Sequence, residues 1–202
     1  DLHTREDIIT ALTKLKEYNP TIRKAVVKMN DGFSGDGNAM YKYPAFENGE
    51  SVQQKIADTL NDQLKPVSHD VNLELFFEKF QSMGGIVESF VEGEIKTSPS
   101  VQCVITPGRQ VEIASTHDQL LGGDDGQIFI GAIFPADEAY NISLAEEGRK
   151  IADVLVKKGA LGRFAIDFIS VKKPDGKWDH YAIEINLRKG GTTHPFLLLQ
   201  FL

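Results

Sequence analysis

Asp167 in the stretch GRFAIDF, and Glu184 and Asn186 in the stretch EIN, are the residues whose types and spacing speak most directly of chemistry. If the two stretches pair as a hairpin, Asp167 and Glu184 lie on one sheet face near the same end. Asn186 stands two residues beyond Glu184 and shares that face. Two carboxylates and an amide carbonyl form a set of hard oxygens, the kind Mg²⁺ takes when it also bridges phosphate groups. Solvated polar residues on an exposed sheet face would show the same pattern, since Ile183 and Ile185 turn to a core in either case. A second group is Lys28, at the end of an apolar strand, with the glycine-dense loop NDGFSGDGN after it. There a point charge stands beside backbone N–H groups that can approach a phosphate closely. The loop is neither a Walker A sequence, which needs Gly-Lys-Ser/Thr opening a helix, nor a dinucleotide fingerprint. A plain surface turn fits it as well.

The stretch LRKGGTTHPF at 187–196 follows the carboxylate strand at once. Arg188 can fork onto a phosphate or a carboxylate, and Gly190 and Gly191 let the backbone come near a ligand. Thr192 or Thr193 suits the cap of a helix beginning near Pro195, whose N-terminus would attract anions. His194 reads as a capping or packing histidine. His117 is far away in sequence and no Cys is near, so no zinc set forms, and no serine nucleophile elbow occurs. The fourth stretch, VESFVEGE at 87–94, is a strand running into an acidic turn. It could offer its backbone to an adenine edge and a carboxylate to ribose hydroxyls, or simply end in a charged turn.

These residues need elements to hold them. Apolar spacing predicts a helix over 4–18 with Thr4 as N-cap and Asp7 three residues on. A strand over 22–29 and an antiparallel partner over 39–43 follow, then helices over 51–64 and 71–82 and a strand over 85–91. The second half reads as strands at 101–105, 110–114 and 127–134, broken by Pro-Gly and Gly-Gly-Asp-Asp-Gly turns. A helix over 142–158 stops at Gly159. Strands over 162–171 and 178–186 are joined by KKPDGK, whose Asp-Gly is a hairpin signal. Residues 92–100 are the expected hinge.

A chain of 202 residues suits one domain or two small lobes. The formal charge of -7, with acids and bases interspersed, shows no basic patch of the kind that grips nucleic acid. No apolar run approaches the roughly 18–20 residues of a membrane span. The single cysteine, Cys103, sits in the alternating run SVQCVI and reads as a small buried hydrophobe. One thiol and no signal peptide point to a cytoplasmic setting.

Taken in order, VVKMNDGFSGDGNA, VESFVEGE, GRFAIDF and EINLRKGGTTHP resemble an ATP-grasp domain, from about Ile22 to His194. The final stretch is most similar to the ATP-dependent peptide ligases of the pheganomycin type. The resemblance implies an α+β, ATP-grasp fold, with two α+β lobes whose antiparallel sheets grip ATP between them. Residues 1–21 would be a leading helix and linker, 22–91 the small lobe, and 92–202 the larger one. It makes Lys28 the phosphate-binding lysine and residues 31–37, with Gly32, Ser34, Gly35 and Gly37, a flexible lid. Glu88, Phe90 and Val91 would contact adenine, the latter two through backbone, and Glu94, with Glu92 as the alternative, the ribose. Asp167, Glu184 and Asn186 would hold Mg²⁺ or Mn²⁺, and Arg188 the transferred phosphate. ATP-grasp enzymes usually have a preceding domain with a further nucleotide-binding lysine. Here one helix precedes the Lys28 strand, so the resemblance implies a fragment without its N-terminal domain.

The implied reaction joins a small-molecule carboxylate to an amine: the carboxylate takes the γ-phosphoryl group, and an amine displaces phosphate from the acyl phosphate. Positioning and charge neutralisation drive such a reaction, which agrees with the lack of an activated Ser or Cys. A protein kinase is excluded, because its glycine loop precedes the lysine and its HRD segment is missing. A relative that binds nucleotide without turnover is the other reading. A plain protein-binding module would show no magnesium-dependent ATP affinity.

Overall fold

The computed structural model describes residues 1–31, 37–122 and 128–202. The expectations for Gly32, Ser34 and Gly35, and for most of the GGDDG turn, fall on residues outside this set. The chain forms two compact units, Asp1–Phe90 and Val91–Leu202.

In the first unit, α1 (Arg5–Tyr18) opens on a capping box: the Thr4 side chain accepts the Asp7 N–H, and the Asp7 carboxylate accepts the Thr4 N–H at 2.9 Å. Such a cap stabilises a helix start by about 1 kcal/mol. Ile8 and Leu12, four residues apart on one helix face, are fully buried. The leading helix is therefore part of this unit's core. Then come β1 (Lys24–Met29), β2 (Asn38–Lys42), α2 (Val52–Gln63), β3 (Leu64–Pro66), α3 (Leu73–Met83) and β4 (Gly85–Ser89). The sheet order is β3-β2-β1-β4, antiparallel throughout. Alternation along β1 buries Ala25, Val27 and Met29 in one core with Leu12, Ile56 and Phe76 of the three helices. Lys24, Val26 and Lys28 therefore turn to the other face. Gly85 allows β4 to lie this close to β1, because a Cβ there would stand 2.2 Å from the Lys28 carbonyl oxygen.

The second unit contains β5 (Lys96–Thr97), β6 (Pro99–Ile105), β7 (Val111–Gly122), β8 (Ile128–Ile133), α4 (Asn141–Lys157), β9 (Gly162–Lys172), β10 (Trp178–Asn186) and α5 (Thr193–Leu199). Its antiparallel sheet runs β10-β9-β6-β7-β8, and β5 pairs with β9. Leu144 and Ala152 of α4 pack on Val101, Cys103 and Ile105 of β6 and Phe164, Ile166 and Phe168 of β9. Cys103 is buried, and burial pushes its thiol up to about 12, as suits an inert core residue. The opposite face of β6 is covered too, since Ser100 and Gln102 are as buried as their apolar neighbours.

β7 runs on to Gly122, well past the Ala114 expected to end it. Its polar run Thr116–Gln119 looks like a loop in the sequence, yet His117 is buried and Asp118 accepts the Tyr140 hydroxyl and the Asp137 N–H. The Asp-Gly turn expected between β9 and β10 is present, with Gly176 at φ 85°. Among the described residues no helix is long and apolar enough to cross a membrane.

Candidate functional site

β9 and β10 pair Trp178 with Lys172 and Ala182 with Phe168. Continued unbroken, that register would set Glu184 against Ile166, on the α4 side of the sheet. A bulge between Ala182 and Glu184 inserts Ile183 and resets the phase, so Glu184 pairs with Asp167 and Asn186 with Ala165. Asp167 in turn lies opposite Ser100 on β6, and Ser100 opposite His117 on β7. Glu184, Asp167, Ser100 and His117 thus form one row across four strands, and Asn186, Ala165, Gln102 and Ser115 the next. The sequence expectation of one shared face for Asp167, Glu184 and Asn186 agrees with this register. Ile185, expected in a core, is 45% exposed because β10 is an edge strand.

Asn186 Nδ2 donates to Asp167 Oδ2 at 3.1 Å, which leaves Oδ1 as the acceptor of that amide. Burial pushes the Asp167 carboxyl up to about 6; the Glu184 carboxylate adds to the rise, while the Ser100 hydroxyl and Arg188 oppose it. Two apposed carboxyls with an arginine beside them can hold a divalent cation and present a fork to an anion. Among the described residues no cluster of three His, Cys, Asp or Glu side chains forms a self-sufficient metal site. The oxygen set is thus two carboxylates and an amide, short of a closed cage.

Arg188 is exposed, and its N–H donates to the Asn186 carbonyl at 2.7 Å, turning the chain sharply off β10. The Gly190 N–H donates to Thr193 Oγ1 at 3.1 Å and the Thr193 N–H to the Gly190 carbonyl at 3.1 Å. Thr192 occupies the N-cap of α5 without a capping side-chain bond, and His194 is exposed rather than packed or capping.

In the first unit, Lys28 Nζ and Glu88 Oε2 form an ion pair at 2.6 Å on the face away from the helices. Lys28 pairs with Ile86 and Val26 with Glu88 and Met40, so this charged pair lies among apolar side chains. Gly37 is buried at the base of the β1–β2 hairpin, its carbonyl accepting the Met29 N–H at 2.9 Å. The Phe90 N–H donates to the Lys24 carbonyl at 3.2 Å, which continues the β1–β4 pairing past Ser89. In the second unit, the Val91 carbonyl accepts Lys96 Nζ at 3.4 Å. Glu92 and Glu94 are exposed on either side of Gly93, whose missing Cβ would stand 2.4 Å from Val171 Cγ1. A cavity of roughly 320 Å³ lined by His3, Arg5, Glu74 and Phe77 belongs to the helix side, away from Lys28.

Residues 45–190 match the IQCH-like, ATP-grasp family. The chain belongs to that ATP-grasp family. A curated relative, the L-propargylglycine–L-glutamate ligase of Streptantibioticus cattleyicolor, is 32% identical over 179 residues, which are 85% of this chain and 35% of the relative. The chain therefore spans about a third of that relative's length. Among solved structures, the ATP-grasp chain resembles an ADP complex of N5-carboxyaminoimidazole ribonucleotide synthetase at TM-score 0.57 and 16% identity, over 96% of this chain and 40% of that one. It also resembles the biotin carboxylase of Campylobacter jejuni, at TM-score 0.59 and 15% identity, over 98% of this chain and 37% of that one. The fold expected from the four stretches is thus the one found.

Sequence reasoning missed Ser100 and Gln102. Their alternation with Val101 and Cys103 was visible, but a polar face ordinarily meets water, and nothing local shows that the Thr192 carbonyl, 90 residues on, meets Gln102.

Proposed function

We propose that this ATP-grasp chain binds Mg-ATP and serves the catalytic centre of a carboxylate–amine ligase, one that makes an amide or peptide bond through an acyl phosphate. The observation that supports it most is the Glu184–Asp167 row with Asn186 bonded to it and Arg188 beside it. Asp167, Glu184 and Asn186 Oδ1 would hold Mg²⁺, with Mn²⁺ as the alternative ion. The donor set fits, because three protein oxygens leave the other positions of an octahedron to phosphate and water. A cation there also offsets the repulsion that, with burial, raises Asp167. When bound, the metal would neutralise and align phosphate oxygens.

The remaining roles belong to side chains and backbone. Arg188 grips the phosphoryl group as it moves to the carboxylate, and Lys28 offsets charge on the nucleotide phosphates. Glu88 and the backbone of Phe90 and Val91 line the adenine, and Glu94, or Glu92 in its place, accepts the ribose hydroxyls. The glycine-rich loop, with Gly32, Ser34, Gly35 and Gly37, covers the phosphates. Excluding water there protects an acyl phosphate that would otherwise hydrolyse. Amino acids or short peptides as both carboxylate and amine are supported by the name of the curated relative.

The test is product analysis with ATP, Mg²⁺ and pools of amino acids. Magnesium-dependent formation of ADP and phosphate together with an amide is the expected result. AMP as the nucleotide product would overturn the acyl-phosphate route, and tight ATP binding with no product from any pool would favour a domain that binds without turnover.

A further inference from the structure

Gln102 has no role in the chemistry above, yet it is 3% exposed at the centre of the sheet. Its row is Asn186, Ala165, Gln102, Ser115, so it lies on the same face as Asp167 and Asn186. A buried amide must find partners or lose the free energy of its solvation. Gln102 Nε2 donates to the Thr192 carbonyl at 3.2 Å, a bond that closes a loop of 90 residues.

The segment Leu187–Thr193 leaves β10 carrying Arg188, Gly190 and Gly191. Its other hydrogen bonds are all local: Arg188 N–H to Asn186, Arg188 Nη1 to the Lys189 carbonyl at 3.3 Å, the two between Gly190 and Thr193, and the Phe196 N–H to the Thr192 carbonyl at 3.2 Å. Bonds across one to four residues shape a loop but do not attach it to anything. Among the described residues, the Gln102 amide gives the one hydrogen bond that ties this segment to a strand other than the one it leaves. The next attachment beyond it is the packing of Phe196 on Phe134, with ring centres 5.8 Å apart.

We infer that Gln102 is a positioning residue: by holding Thr192 it fixes the segment that keeps Arg188 beside the Asp167–Glu184 row. This rests on the reading of Arg188 as a phosphate-binding group. The amide is suited to the task because its length spans from β6 to the covering loop and it carries no charge to desolvate. Methionine would fill the same volume and leave the Thr192 carbonyl only the local Phe196 N–H, with no bond to the sheet.

The experiment compares the 202-residue chain with Gln102→Met by amide hydrogen exchange and by Mg-ATP titration. The expected result is exchange at Gly190–His194 faster by about tenfold or more, with α4 unchanged, and Mg-ATP affinity weaker by about tenfold. Adding Arg188→Met to Gln102→Met should then cost less than it does alone, since the first change has already loosened the arginine. Unchanged exchange at 190–194, or fully additive effects of the two substitutions, would overturn the inference. If the wild-type chain binds no Mg-ATP, the nucleotide reading fails while the exchange comparison still decides the anchoring. If Gln102→Met does not fold, the wild-type Gln102 side-chain amide decides it: protected protons near Thr192 support the anchor, and exchange as fast as in an exposed glutamine overturns it.

Discussion

Lys28 and Glu88 in the first unit meet on a face whose neighbours, Val26, Met40 and Ile86, are partly or well exposed. In the second unit Asp167 continues into Ser100 and His117, both 1% exposed. The same alternation built both sheets, and only the covering differs. On the more open face a charged pair keeps part of its hydration and can exchange one partner for another at modest cost. On the covered face charge is held against burial, which is why Asp167 rises to about 6 and His117 falls to about 4. On the proposed reading, the first unit would adapt its ion pair to a ligand, while the second would hold its carboxylates ready for a cation.

Substitutions at the row test that contrast most severely. Asp167→Asn should lower ATP-dependent product formation by about 10³-fold, since the metal would lose a carboxylate. The melting temperature at pH 7 should hold or rise, because the amide removes one of two like charges. A parallel fall in melting temperature would show that the row stabilises the fold instead. Next comes the support of the open face. Gly85→Ala should destabilise the first unit by about 3 kcal/mol, because its methyl meets backbone as well as the Phe80 ring, as measured by urea unfolding.

His117 supplies a pH signature confined to the covered face. Burial depresses its folded pKa to about 4 against an ordinary 6.5. The unfolded chain therefore binds the extra proton first as the solution is acidified. Stability is complete above pH 6.5, falls between 6.5 and 4, and is flat below; the full loss is of order 3 kcal/mol. Asp167 titrates in the opposite sense over part of this range, so the measurement is the difference between wild type and His117→Gln in urea unfolding from pH 7 to 4. A flat difference would mean that His117 meets water. The smallest effect belongs to Glu88→Gln, which should cost about 1 kcal/mol of stability for a partly buried pair. It should still weaken Mg-ATP binding in a titration.

Local chemistry was legible. The Thr4–Asp7 cap, the alternation of β1, the Asp-Gly hairpin and the three oxygen-bearing residues followed from spacing alone. What escaped was set by distant parts of the chain. The polar run of β7 is a strand because Tyr140 and a neighbouring aromatic, Phe134, at 4.9 Å from the His117 ring, satisfy and cover it. The two-residue β5 and three-residue β3 pair only because longer strands lie ready beside them. Ser100 and Gln102 look like solvent-facing positions, yet Ser100 donates to the Ile166 carbonyl on β9 and Gln102 to the Thr192 carbonyl after β10. The shared face of Asp167 and Glu184 was expected from simple alternation, although it depends on one residue out of phase.

That residue, Ile183, is one the strand can exchange or lose without losing the site. Replacing it with another side chain alters little beyond a half-buried contact. Deleting it would let Glu184 follow Ala182 directly, as Asp167 precedes Phe168 on β9, so Glu184 and Asn186 would keep their present partners; straightening the strand with Ile183 still in place would instead carry both to the helix-packed side. A chain shorter by this one residue would keep all three oxygen ligands on one face, whereas a loss between Glu184 and Asn186 would turn the amide to the opposite side, so length variants on the two sides of Glu184 should differ in metal dependence.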